Sequence, residues 1–239
     1  MNSQNTSVVE ETILEVELKN IIEKRYMMME ASYSNGDDVF STFTASNIEG
    51  CKAVVIYGDN CSGKSFIAKF LDSVMRQTHK VAVRSASVGN RVGGGVENVM
   101  IYGNEKEEST GVTSFKVMNL GLKSTSETRG SAMMILDEPT LGMSPRYSRA
   151  TGTYVATKFN DMDDDKFIVV ISHEVEFIKS FIKTCSKPVC GLGVETELNL
   201  DDWLNSDIEA PIEELESLSD TANDKWRAIA QLQEKMRYM

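Results

Sequence analysis

The chain predicts an α/β fold, a mainly parallel sheet flanked by helices. Three observations carry that expectation. The short apolar runs "KAVVIYG" (52–58), "AMMILD" (132–137) and "FIVVIS" (167–172) suit strands buried on both faces. Segments of helical period alternate with them, which calls for crossover connections. A glycine-bearing loop, "GDNCSGKS" (58–65), sits between the first of these runs and a helical segment.

Taken in order, residues 7–30 read as a helix. Ser7 and Glu10 have capping-box spacing, and Val9, Ile13, Val16, Ile21 and Ile22 give an apolar face. "VFSTFTA" reads as a strand among turn formers at 36–50. After the loop, "KSFIAKFLDSVMRQ" is helical and "KVAVRSASV" is the next strand. "GNRVGGG" (89–95) is a turn and "ENVMIYG" (97–103) a further strand. Pro145 to Asn160 reads as a helix with proline in its first turn. "EVEFIKSFIKTC" is another helix, "KPVCGLG" the last strand, and "DKWRAIAQLQEKMRYM" an amphipathic C-terminal helix. That last helix is expected to pack on the domain; the alternative is a partner-binding helix.

The length of 239 residues suits one large domain or a domain with an appendage, and 41% apolar residues suffice for a core. The organisation expected is a lead-in at 1–50, a core at 51–193, and an acidic stretch with the terminal helix at 194–239. The net charge of −11 is local: residues 194–220 hold ten acids and no Lys or Arg. Outside that stretch the chain is near neutral and offers no basic cluster for nucleic acid. No apolar run is long enough to span a membrane. The N-terminus has no basic region followed by an apolar one, so no export signal is read and a cytoplasmic location is expected. Cys51, Cys61, Cys185 and Cys190 are scattered without nearby histidines, which favours free thiols over a zinc site.

The loop specifies chemistry. Gly58, Asp59, Asn60, Cys61, Ser62, Gly63, Lys64 and Ser65 match a phosphate-binding loop, in which glycines let backbone N–H groups turn toward phosphate oxygens. A helix starting near Gly63 aims its positive end at the same anion. Lys64 supplies a charge for the β- and γ-phosphates, and Ser65 a hydroxyl for Mg²⁺. In "MMILDEPT" an apolar strand ends in two acids. Consecutive side chains there point differently. Asp137 is thus expected to hold Mg²⁺, and Glu138 to act as general base or to orient water for hydrolysis. His79 reads as surface. His173 ends "FIVVIS" and is expected at the same rim, near the γ-phosphate. Tyr57 reads as core.

Together, "GDNCSGKS", "MMILDEPT" and "VVISHEVEFI" resemble the Walker A, Walker B and switch-histidine segments of ABC-class P-loop ATPases. The soluble branch is most similar, with the SMC and RecF-like ATPases and the small ATPases of bacteria and phages. The resemblance spans residues 58–173. It implies a P-loop NTPase fold with a reduced helical subdomain, ATP and Mg²⁺ as ligands, and head-to-tail homodimers. It also implies work in DNA metabolism or in phage defence and counter-defence. In that class a Ser-Gly signature at a helix N-terminus of one subunit caps the γ-phosphate held by the other. No LSGGQ occurs here. Ser109, Thr110 and Gly111 in "ESTGVTS" (108–114) are the preferred equivalent, and "STSETRG" (124–130) the alternative.

Two other classes compete. A small-molecule kinase would use Arg84, Arg91 or Arg129 around an acceptor, but leaves "LDEPT" and "ISHE" unexplained. A non-hydrolysing, nucleotide-gated interaction protein would dock through the acidic segment or the terminal helix. A GTPase is disfavoured, because no N-K-x-D motif follows the loop.

Overall fold

The computed structural model describes residues 11–23, 42–86, 109–206 and 211–237. The apolar, β-branched runs form β2 (Ala53–Tyr57), β4 (Ala132–Asp137) and β5 (Lys166–Ile171), which are buried almost throughout. With β1 (Phe43–Ser46), β3 (Ala82–Ala86) and β6 (Val189–Val194) they build a six-stranded sheet in the order β1-β6-β2-β5-β4-β3. Every neighbouring pair is parallel except β1 with β6. The fold is therefore α/β with a mainly parallel sheet.

Helices flank both faces: α1 (Ile13–Ile22), α2 (Lys64–Gln77), α3 (Thr110–Glu127), α4 (Ser148–Asn160), α5 (Val175–Thr184), α6 (Leu200–Leu204) and α7 (Ile212–Arg237). Side chains alternate along each strand, so each strand feeds two cores. Val54 and Ile56 of β2 join Leu14 and Leu18 of α1 and Ile67 and Leu71 of α2. Val55 and Tyr57 join Val117 of α3, Phe159 of α4 and Phe177 and Phe181 of α5. The lead-in thus shares a core with β2, and Leu200 and Leu204 of α6 belong to the second cluster.

Several local readings are corrected. The capping box of α1 is Thr12–Glu15, closed by Glu15 N donating to Thr12 Oγ1 at 3.1 Å. Ser7 and Glu10, like 24–30, 89–95, 97–103 and Arg91, lie outside the described residues. Thr12 Oγ1 also donates to Cys51 O (2.8 Å) and Gly50 N to Glu15 Oε2 (2.8 Å), which ties α1 to the turn before β2. The start of α1 is thereby fixed by tertiary partners that local spacing cannot show. His79 is not a plain surface residue: its Nε2 lies 2.6 Å from Oε1 of the buried Glu17 on α1. Pro145 opens a 3₁₀ turn (Pro145–Tyr147) that precedes α4 rather than starting it. Tyr57 is fully buried, as expected, with its hydroxyl donating to Leu198 O at 2.9 Å. All four cysteines are free thiols. Among the described residues no helix is long and apolar enough to cross a membrane.

Helix α4 lies close against α5, and Gly152 makes that approach possible. A Cβ there would stand 2.3 Å from the Phe177 carbonyl oxygen, a backbone atom that cannot step aside. Gly152→Ala is expected to cost about 1–3 kcal/mol in urea unfolding. The exposed neighbour Thr153, changed to Ala, should shift stability by no more than roughly 0.5 kcal/mol.

Candidate active site

The register of the sheet sets the level of the site. Ile171 of β5 is paired with Ile56 of β2 on one side and Asp137 of β4 on the other. The residues that follow each strand therefore leave the sheet at one edge: the Gly58–Ser65 loop from β2, Glu138 from β4, Ser172 and His173 from β5. Ligands gather at that edge of open α/β sheets.

Local conformation shapes the loop. Gly58 has φ 137°, and a Cβ on it would meet Val194 O at 2.3 Å, so only glycine fits. Gly63, at φ 102°, then launches α2 with no side-chain cap on its first N–H groups. An uncapped helix N-terminus carries partial positive charge and open donors. Lys64, 6% exposed, donates from Nζ to Gly58 O (2.9 Å), Asp59 O (2.6 Å) and Ser62 Oγ (3.5 Å). Burial pulls its pKa down to about 8, against the opposing pull of Glu138, Asp59 and Asp137. It still carries its proton at neutral pH.

Lys64, Ser65, Asp137, Glu138 and His173 line one cavity of about 710 Å³, together with Asn60, Cys61 and Gly63. Ser65 Oγ lies 3.4 Å from Asp137 Oδ1. A hydroxyl beside a carboxylate is a hard oxygen pair. It suits Mg²⁺, which usually takes one or two carboxylates and completes its shell with phosphate and water oxygens. Among the described residues no group of three or more His, Cys, Asp or Glu could hold a metal alone. The donor pair supplies two protein oxygens and leaves the other positions of such a cation to ligand and water oxygens.

Glu138 stands just beyond β4 with φ 51°, a left-handed conformation that side chains seldom adopt. Its N–H donates to Ile171 O at 2.9 Å, which pins that turn to β5. Its carboxylate oxygen Oε2 lies 3.4 Å from Ser172 Oγ and 3.5 Å from the His173 N–H. Burial raises the Glu138 pKa above the ordinary carboxylate value and Asp137 adds to the rise, while the His173 N–H, Lys64 and Ser172 oppose it. Burial, and then the charge of Lys64, lower His173 to about 4. The ring is neutral at pH 7, so its 3.5 Å approach to Glu138 Oε1 is not an ion pair. The arrangement offers a cation, a hydroxyl–carboxylate pair, a carboxyl whose pKa burial raises and a neutral imidazole within one cleft. That set can bind a phosphate chain and take a proton from water.

Ser109, Thr110 and Gly111 are elsewhere. Ser109 is the N-cap of α3 and Thr110 its first residue. Ser109 and Gly111 line a separate cavity of about 580 Å³ with Met143, Ser144 and Tyr147. Gly111 approaches Gly142 so closely that a Cβ would stand 2.6 Å from the Gly142 carbonyl oxygen. The alternative segment differs in kind: Ser124–Glu127 form the last turn of α3, so only 109–111 sits at a helix N-terminus.

Three contributors escaped the sequence reading. Ser172 places a hydroxyl by Glu138. The other two come from α7, which begins at Ile212, well inside the acidic stretch, rather than near Asp224. This helix passes over the loop: Lys225 Nζ donates to Ser62 O (3.0 Å) and pairs with Glu195, and Cys61 Sγ donates to Leu218 O (3.6 Å). Lys225 and Trp226 join the cavity lining. The amphipathic pattern of α7 gave a face to bury but not the surface that receives it.

No family model matches the chain, and no curated protein matches it in sequence.

The shifted imidazole gives a direct test. Only two histidines exist, so ring-proton NMR resolves both. His173 should titrate near pH 4, and Lys64→Ala should move its midpoint upward, since the Lys64 charge adds to the depression caused by burial. An unfolded-state value near 6.5 means that the unfolded chain binds the proton first. The stability of the wild type, measured against His173→Gln, should therefore fall as pH drops from about 6.5 to about 4.

Proposed function

We propose that the chain is a soluble ATPase of the ABC class that binds ATP with Mg²⁺ in the cavity above the Gly58–Ser65 loop and hydrolyses it. The observation that carries this reading is convergence. Lys64, Ser65, Asp137, Glu138 and His173, spread over the sequence, line one cavity at the ends of three neighbouring parallel strands.

The residues divide the work. The loop N–H groups and Lys64 Nζ bind the phosphates, once the ammonium exchanges its carbonyl partners Gly58 and Asp59 for phosphate oxygens. Ser65 and Asp137 would hold Mg²⁺, which when bound neutralises charge on the β- and γ-phosphates. Glu138 takes a proton from the attacking water as its oxygen bonds to the γ-phosphorus and the bond to the β-phosphate oxygen breaks, leaving ADP and phosphate. A raised pKa makes Glu138 a better proton acceptor than an ordinary carboxylate. Neutral His173 donates a ring N–H to a γ-phosphate oxygen without adding charge. Ser109, Thr110 and Gly111 of a second copy complete the site: they stand at a helix N-terminus outside the cavity, and an anion delivered by a partner would find that dipole. Two chains would thus close head to tail on ATP, with closure as the output to a protein or nucleic acid partner.

The kinase reading gains nothing from Arg84 and Arg129, the two of its three arginines that the described residues include. Arg84 is committed to Ser124 (2.9 Å) beside α3, and Arg129 is exposed after that helix.

Glu138→Gln is expected to lower ATP turnover by at least about a hundredfold while leaving ATP binding intact, and to accumulate a dimer with ATP on size-exclusion chromatography. Lys64→Ala should abolish ATP binding itself. Wild-type protein that binds ATP but never turns it over would favour the nucleotide-gated interaction protein instead.

A further inference from the structure

The cavity has two chemically distinct parts, and the roles proposed above use one. Around Lys64, Ser65, Asp137 and Glu138 it is a polar cradle. From α7 an indole enters: Trp226 lines the same cavity and is 66% exposed, the most exposed tryptophan in a chain that has two. The other, Trp203, is partly buried against Tyr57, with ring centroids 5.5 Å apart. A large apolar ring left open beside that polar cradle can receive a flat aromatic partner by stacking.

The position of Trp226 is held, not incidental. Lys225, next in sequence, is anchored to Ser62 O and Glu195, and Leu218 O, two turns earlier, accepts from Cys61. Ala228, two residues beyond the indole and so near the opposite side of α7, packs on the core that includes α2. These contacts fix α7 against the loop on both sides of Trp226. Ala222, one turn before the indole, also lines the cavity and leaves its face uncrowded. At about 710 Å³ the space is of the size that takes a nucleotide-sized ligand, roughly 300–1,000 Å³.

We infer that Trp226 stacks on the base of the bound nucleotide, so that α7 supplies the nucleoside half of a site whose phosphate half is the Gly58–Ser65 loop. This rests on the nucleotide reading above. A nucleoside triphosphate has the same two parts as the cavity: a polyanion and a planar aromatic base. Stacking is tolerant of base identity because each base has a π-face, and a purine offers the larger one. Trp226 therefore sets affinity for the nucleoside, and the hydrogen-bonding edge of the base is not read by it.

The test separates the two halves by ligand. ATP and inorganic tripolyphosphate are titrated calorimetrically into wild type, Trp226→Ala, Trp226→Tyr and Lys64→Ala, each with Mg²⁺. Trp226→Ala should weaken ATP roughly tenfold to a hundredfold and leave tripolyphosphate unchanged, while Trp226→Tyr keeps most of the ATP affinity. Lys64→Ala should lose both ligands. In Trp203→Phe the remaining indole should be quenched by ATP and not by tripolyphosphate. Equal losses for both ligands in Trp226→Ala, or no loss for either, overturn the assignment while the phosphate loop stands. Wild type that binds neither ligand overturns the nucleotide reading and the assignment with it.

Discussion

The alignment of three parallel strands at Ile56, Ile171 and Asp137 is the constraint on which the rest depends. Side chains alternate with a period of two, so a slip of one residue in β4 or β5 would turn Asp137 or Ile171 to the opposite face. Burial prevents the slip. All three strands are covered on both faces, and every alternate residue is committed to one core or the other. The precision of the cleft is thus borrowed from packing far below it. Ile171 sits at the junction: it packs in the first core, lines the cleft, and accepts the Glu138 N–H.

Within the cleft, charges are set by mutual proximity and limited water. Lys64 falls, Glu138 rises and His173 falls, each chiefly because burial disfavours its charged form. The fold carries groups that would be more comfortable in water, and it carries backbone strain beside them at Cys61 and Glu138. Such costs gather where geometry serves something other than stability.

Much of this was legible beforehand. The loop, the paired acids and His173 each end an apolar run, and a run buried on both faces can only deliver its last residues to the sheet's rim. Parallel crossover topology then brings the rims together. What was not legible depended on distant partners. Thr12–Glu15 closes as a capping box, and its further ties to Cys51 O and from Gly50 N are tertiary bonds that local spacing does not encode. His79 looks like a surface residue until Glu17 of α1 is placed against it. Trp226 and Lys225 sit on a helix whose pattern shows an apolar stripe without naming what it covers. Side-chain periodicity encodes orientation about an axis, and it holds no information about which surface lies opposite.

The bond from Lys225 to Ser62 joins residues 163 positions apart. The two strands beside β2 also come late, since β5 starts at Lys166 and β6 at Val189. On a ribosome, chain emerges at about 5–20 residues per second. The loop is then made on the order of ten to thirty seconds before the helix that crosses it. Until β5 is made, β2 has neither neighbour, and its apolar run is open on both edges. The nascent chain therefore holds the Gly58–Ser65 loop in an unfinished sheet until β5 and β6 are synthesised, and that interval is when chaperones have access to it.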